Sequence, residues 1–145
     1  MSLFVVDASV GIKWFVPEVH ADAAQRLQDP AHQLHIPAFF DVEVANILWK
    51  KVWLRELTRA EADAILGQLP LLPVIRHAEA PLVTAAFDLA DRTQRTVYDC
   101  LYLALAIRLS GQMVTADERL VNSLAGTQWA ASIVRVQDLP STMRA

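Results

Sequence analysis

One cysteine, four glycines and four histidines among 145 residues exclude several kinds of protein at once. Cys100 has no partner for an internal disulfide, so the fold rests on its core, and a free cysteine inside an apolar run is expected to lie in that core. The few glycines form no Gly-rich phosphate loop. His20, His32, His35 and His77 are scattered without an i, i+4 pair. They read as surface or loop residues, and with so little cysteine zinc is not the natural metal. Basic charge is not in excess: 13 Lys and Arg stand against 16 Asp and Glu, a net charge of −3. That balance excludes a large phosphate-tracking surface but leaves room for a small acidic pocket that reaches a phosphate through divalent cations. Long apolar runs are also missing, since the longest, Cys100 to Ile107, is too short to span a bilayer. The first residues, MSLFVVDASVGIKWF, lack a basic n-region and carry Asp7 within their apolar run, unlike a signal peptide. A soluble cytoplasmic protein with no membrane partner is the expectation.

What the chain does have is apolar mass. Hydrophobic residues make up 54 % and charged residues 20 %, which indicates a packed globular protein rather than a disordered one. The length suits one domain over residues 1–145, large enough to bury a core without staples. No repeat, linker or low-complexity segment divides it. The apolar content also leaves material for a partner-binding patch.

Thr96 to Leu109, TVYDCLYLALAIRL, is the most apolar helical stretch. Leu101, Leu105 and Leu109 recur at helical spacing, and Tyr98, Tyr102, Ala104 and Ile107 widen the apolar surface. Further helices are predicted over Val10–Phe15, His20–Leu27, Ala38–Arg55, Ala80–Asp91 and Asp117–Leu124. Another opens at the capping box Thr58–Glu61 and closes at Pro70. Strands are predicted over Leu3–Val6, Gln33–Ile36, Gln112–Thr115 and Ser132–Val136. A fifth over Leu71–Ile75 is pushed by Pro73 to an edge position or a late start. Strands alternate with helices throughout. This is the pattern of an α/β fold, a three-layer α/β/α arrangement around a parallel sheet of four to five strands.

In such sheets the functional crevice lies at the carboxyl ends of the strands. Asp7 follows the first strand and Asp117 the Gln112–Thr115 strand, while Glu43 and Asp99 lie near the starts of two long helices. Singly, each acid also suits a helix cap or first turn. Thr96 with Asp99 resembles a capping box, and Thr115 with Glu118 fits one outright. Jointly, four acids on one rim, three of them flanked by apolar residues in VVDAS, VYDCL and VTADE, repel one another unless something positive intervenes. Mg²⁺ or Mn²⁺, which choose carboxylate and water oxygens, would do so. Such a metal can bind a phosphodiester oxygen and lower the pKa of an attacking water. The sequence supplies no alternative nucleophile, so metal-assisted phosphodiester hydrolysis is the expected chemistry.

VVDAS, DVEVANIL, TVYDCLYLALA and VTADERL, in that order and approximate spacing, resemble the motifs of PIN-domain ribonucleases. The closest likeness is to the VapC-type toxins of bacterial type II toxin–antitoxin pairs, and it covers essentially the whole chain. The resemblance implies an Mg²⁺- or Mn²⁺-dependent endoribonuclease that leaves 3′-hydroxyl and 5′-phosphate ends. It implies Asp7, Glu43, Asp99 and Asp117 as the catalytic, metal-binding quartet, with Asp7 and Asp99 as the principal direct ligands. Ser9 and Thr115 match the small hydroxyl residues beside the first and last acids, and Asn46 a polar position one turn after the Glu. A homodimer and a cognate antitoxin whose C-terminal segment crosses the active-site groove are also implied. Trp14, Phe15, Trp49 and Trp53 are candidates for an apolar surface toward a dimer mate or antitoxin, or else ordinary core aromatics. Lys13, Lys50, Lys51, Arg92 and Arg95 are candidates for RNA phosphates.

Two other readings have weaker support. A receiver-like Mg²⁺-binding signalling domain needs paired acids after the first strand, an acceptor Asp after the third and a Lys after the fifth. This chain has Asp7 alone, Ile75-Arg76 and Val136-Gln137 there. A catalytically idle PIN-like binding module would have lost an acid, and all four are present.

Overall fold

The structure, a computed structural model, describes residues 2–139. Five strands form one sheet: β1 (Ser2–Val6), β2 (His32–Pro37), β3 (Ile75–His77), β4 (Gln112–Thr115) and β5 (Ile133–Arg135). Their order is β3-β2-β1-β4-β5 and every pairing is parallel. The central strand β1 is Phe4, Val5 and Val6 at its heart, all buried, as a strand covered on both faces requires. Helices α1 (Ala8–Gly11), α2 (Ala21–Arg26), α3 (Phe40–Trp53), α4 (Arg59–Gln68), α5 (Val83–Thr93), α6 (Val97–Arg108) and α7 (Glu118–Leu124) complete the α/β/α layers. The chain runs outward from β1 to β2 to β3, then returns to place β4 on the other side of β1. The β1–β4 junction is therefore where the strand order reverses, the position at which such sheets open a binding crevice.

Several element bounds move for local reasons. The first predicted helix is shorter as an α-helix and tightens into a 3₁₀ turn over Ile12–Trp14 before Pro17. The Leu71–Ile75 strand begins only at Ile75, because a 3₁₀ turn occupies Leu69–Leu71 and Pro73 follows it. β3 is a sheet edge, where that proline leaves no ladder bond unmade. The Ala80–Asp91 helix opens with a 3₁₀ turn at Ala80–Leu82 and runs on to Thr93, where Gln94 takes the left-handed conformation.

The apolar helix α6 is the central pillar. Residues Cys100 through Ala106 are all buried, and Cys100 lies in the core as expected. Tyr98 departs from that expectation, with 65 % of its surface exposed. Thr96 caps the helix by accepting the Asp99 N–H at 3.1 Å. At the other end Gly111 donates to the Ala106 carbonyl and Ser110 to that of Ile107, a Schellman closure with Ser110 in the left-handed position (φ 56°). Gly111 serves a different need: a Cβ there would fall 2.7 Å from the Leu3 carbonyl oxygen, so only glycine lets the chain pass into β4 beside β1.

Candidate active site

The first strand delivers Asp7 at its carboxyl end, and parallel pairing of Val6 with Val114 brings Thr115 alongside. The Asp7 backbone occupies the N-cap position of α1, yet its side chain makes no cap hydrogen bond. Its Oδ2 instead accepts from Ser9 Oγ and Thr115 Oγ1, both at 2.8 Å. The two hydroxyls accept in turn from the Ala116 and Asp117 backbone N–H groups, each at 3.1 Å. Each hydroxyl is thus used as both donor and acceptor, and the exits of β1 and β4 are locked together. Both hydroxyls converge on Oδ2 of a residue that is only 8 % exposed.

The predicted Thr115–Glu118 capping box does not form. Thr115 is the last residue of β4, wholly buried, and commits its hydroxyl to Asp7; Asp117 is the N-cap of α7 and accepts the Leu120 N–H at 3.1 Å. The Thr96–Asp99 pair makes only half a box, since Thr96 accepts from the Asp99 backbone without the reciprocal bond. The Asp99 carboxylate completes no capping box, although the Thr96 hydroxyl lies close enough to lower its pKa. Glu43, in the first turns of α3, is half-buried and accepts a 2.6 Å hydrogen bond from the Tyr102 hydroxyl of α6.

Charge ties the acids together. Burial raises the Asp7 carboxyl above its ordinary pKa, the two hydroxyls pull it back, and the Asp99 charge raises it further. Glu43 is raised by burial and by Asp7 and Asp99, against the lowering effect of Tyr102. Asp99 is raised by burial and then by Asp117, against Thr96 and Arg95. Asp7, Glu43 and Asp99 therefore each feel at least one other acid from a different element. Among the described residues, no three His, Cys, Asp or Glu side chains are gathered into a ready-made ion cage. Carboxylates are the donors of a hard divalent cation, which one or two of them can hold while it keeps several waters.

Other residues fall differently. Lys13 is 5 % exposed and tied to Glu18 and the Val19 carbonyl, so it is not the solvent-facing phosphate contact predicted from sequence. Arg92 pairs with Asp88 along α5, and Arg95 is held by Ser123 and the Arg119 carbonyl. Trp14 is a packing residue whose Nε1 donates to the Ala24 carbonyl, and Phe15 packs against the core. Trp49 and Trp53 stand outside, 63 % and 69 % exposed, with stacked rings 6.3 Å apart. The histidines are not all surface residues: His32 and His35 are buried in β2, and His35 Nδ1 lies 2.8 Å from His77 Nε2 on β3. β2 is covered on both faces, so rings on opposite sides of it are both enclosed, which spacing between histidines does not reveal. Tyr102 is the site residue that sequence reasoning left as mere apolar surface. Its signal was available, because a buried tyrosine hydroxyl must find a partner.

An all-parallel α/β sheet whose strand-order reversal carries carboxylates and hydroxyls defines the class: a three-layer α/β protein with Asp7 and Asp117 at the strand exits of its switch point. The PIN domain model matches residues 4–123, and the chain belongs to the PIN domain family. Its relatives are VapC-type ribonucleases. It is 36 % identical to Ribonuclease VapC3 of Pyrobaculum aerophilum over 118 residues, covering 80 % of this chain and 90 % of that one. It is 34 % identical to Ribonuclease VapC3 of Mycobacterium tuberculosis over 119 residues, covering 82 % and 85 %. A solved toxin–antitoxin complex from Klebsiella pneumoniae shares the fold, with TM-score 0.64 at 17 % identity, covering 94 % of this chain and 98 % of its own. No helix among the described residues is long and apolar enough to cross a membrane.

Proposed function

We propose that this protein is a divalent-metal-dependent endoribonuclease and the toxin of a two-protein toxin–antitoxin pair. The observation that supports the reading is the electrostatic influence of Asp99 on Asp7 and Glu43, and of Asp117 on Asp99, in a chain related to VapC ribonucleases. Mg²⁺, with Mn²⁺ as substitute, is the cofactor that carboxylate and water oxygens select. Bound there, the cation would neutralise the acids, polarise a phosphodiester oxygen and lower the pKa of the attacking water.

The chain's own residues have separable roles. Asp7, oriented by Ser9 and Thr115 through Oδ2, and Asp99, free of its capping box, would be the direct metal ligands. Glu43, aimed by Tyr102, and Asp117, fixed at the start of α7, would complete the metal shell and orient the water. Ser9, Thr115 and Tyr102 are positioning residues, since their hydroxyls serve the carboxylates and not the substrate. The partners are RNA, a second copy of the chain and a cognate antitoxin. The Klebsiella pneumoniae toxin–antitoxin complex that shares this fold supports the antitoxin as partner.

Cleavage of a mixed structured-RNA pool by purified, antitoxin-free protein tests the reading. Discrete cuts with Mn²⁺ that disappear with EDTA and in Asp99→Asn are expected. Cuts that persist in EDTA, or undiminished in Asp99→Asn, would remove the acids from the chemistry.

A further inference from the structure

Helix α3 carries more than Glu43. Asn46, Ile47, Lys50, Lys51 and Leu54 follow Glu43 at three, four, seven, eight and eleven residues, the spacing that keeps side chains on one helical face. All five line a cavity of about 520 Å³ whose opposite wall includes Ser9, Lys13 and Ala116. Ser9 and Ala116 belong to the hydrogen-bonded rim around Asp7, so the cavity opens directly beside the acids. At 1.5 Å per residue, Lys50 stands about 10 Å along the helix from Glu43. An acidic rim thus continues into a trough whose far wall carries Lys13, Lys50 and Lys51 together with Glu18 and Glu56.

Those cations are not equivalent. Glu18 bridges Lys13 at 3.3 Å and Lys51 at 2.7 Å, and Glu56 adds a 3.8 Å contact to Lys51. Lys13 and Lys51 are therefore largely neutralised and brace the wall. Lys50 is exposed and has no carboxylate within ion-pair distance among the described residues. It is the cation left to meet an incoming anion.

We propose that this trough is a backbone subsite for single-stranded RNA, in which Lys50 meets a phosphate neighbouring the cleaved one and Asn46 offers a hydrogen bond between the two positions. The inference rests on the nuclease reading and deepens it. A phosphodiester chain suits both ends, because it reaches the acids through a shared cation and Lys50 directly.

The test is fluorescence anisotropy of a labelled single-stranded RNA in EDTA, in an Asp7→Asn background that lessens repulsion and prevents turnover. Adding Lys50→Gln is expected to weaken binding roughly three- to fivefold at low salt, the size of one exposed charge contact. It should also reduce the slope of log affinity against log salt by about 0.7, one phosphate on a single strand. Lys50→Arg should restore both. With Asp7 intact and Mn²⁺ present, Lys50→Gln should raise KM and leave kcat nearly unchanged. An unchanged slope and KM in Lys50→Gln, with the parent cutting RNA, overturns the subsite and leaves the nuclease standing. Oligoglutamate binding with the same Lys50 dependence overturns it in favour of an acidic peptide. A parent that neither binds nor cuts RNA removes the nuclease reading itself.

Discussion

Tyr102 and Glu43 meet across 59 residues of sequence, the phenol of α6 donating to the carboxylate of α3 at 2.6 Å. Burial first, and then the charges of Asp7 and Glu43, hold the phenol pKa far above the ordinary tyrosine range. It therefore keeps its proton and serves as a hydrogen-bond donor that fixes one oxygen of Glu43.

Tyr102→Phe removes the one contribution that lowers the Glu43 pKa, so that carboxyl rises further above its ordinary value. If ionised Glu43 is needed, the acid limb of the kcat/KM profile moves to higher pH. The loss is greatest under acidic conditions and shrinks as pH rises. The stability cost should be about 1 kcal/mol, one hydrogen bond to a half-buried partner. A pH–rate profile with an unmoved acid limb would dismiss the role of this contact.

The raised pKa values of Asp7, Glu43 and Asp99 have a stability consequence in the metal-free protein. Burial and mutual repulsion favour the neutral carboxyls, so the stability they lend is full below the ordinary carboxylate pKa. It is lost as pH rises through the elevated folded values. Glu18 and Asp138, held low by Lys51 and Arg135, act in the opposite sense. The informative quantity is therefore the difference between the parent and Asp7→Asn. In EDTA the parent should lose melting temperature relative to Asp7→Asn as pH rises through this window. Mn²⁺ should reverse that loss, by about 2.7 kcal/mol at a hundredfold excess over its Kd. Parallel melting curves, insensitive to Mn²⁺, would contradict a shared site.

Thr115 is wholly buried and spends its hydroxyl on Asp7 and the Asp117 N–H. Thr115→Val keeps the shape but strands both partners, at about 1–3 kcal/mol. Thr115→Ser should recover most of that in thermal denaturation. Cleavage should track the hydroxyl, falling in the valine variant and returning with serine.

Gly11 and Gly67 make a contrasting pair. A Cβ at Gly11 would lie 2.5 Å from the Phe40 ring, whereas one at Gly67 meets nothing within 4 Å. Gly11→Ala should destabilise by about 1–3 kcal/mol through overpacking. Gly67→Ala, inside α4, should stabilise by up to roughly 1 kcal/mol through helix propensity. Chemical denaturation of both variants decides it.

The sequence by itself determined the alternation of strands and helices, the apolar α6 with Cys100 inside it, and the placing of four acids where elements begin or end. These features are written within a few residues of one another, in periodicity, proline positions and caps. It also carried the family, because VVDAS, DVEVANIL, TVYDCLYLALA and VTADERL are local strings. Only the tertiary structure decided how those strings interact. Parallel register between β1 and β4 turned Thr115 from a helix cap into a hydroxyl for Asp7, 108 residues away. Pairing of β2 with β3 set His35 against His77 inside the fold, and the packing of α6 on α3 gave Tyr102 its carboxylate. The fold likewise buried Lys13 behind Glu18 and left Lys50 beside the cavity. Hydrogen bonds and ion pairs reach only a few ångströms, so partners distant in sequence are fixed by strand register and helix packing, which no local pattern records.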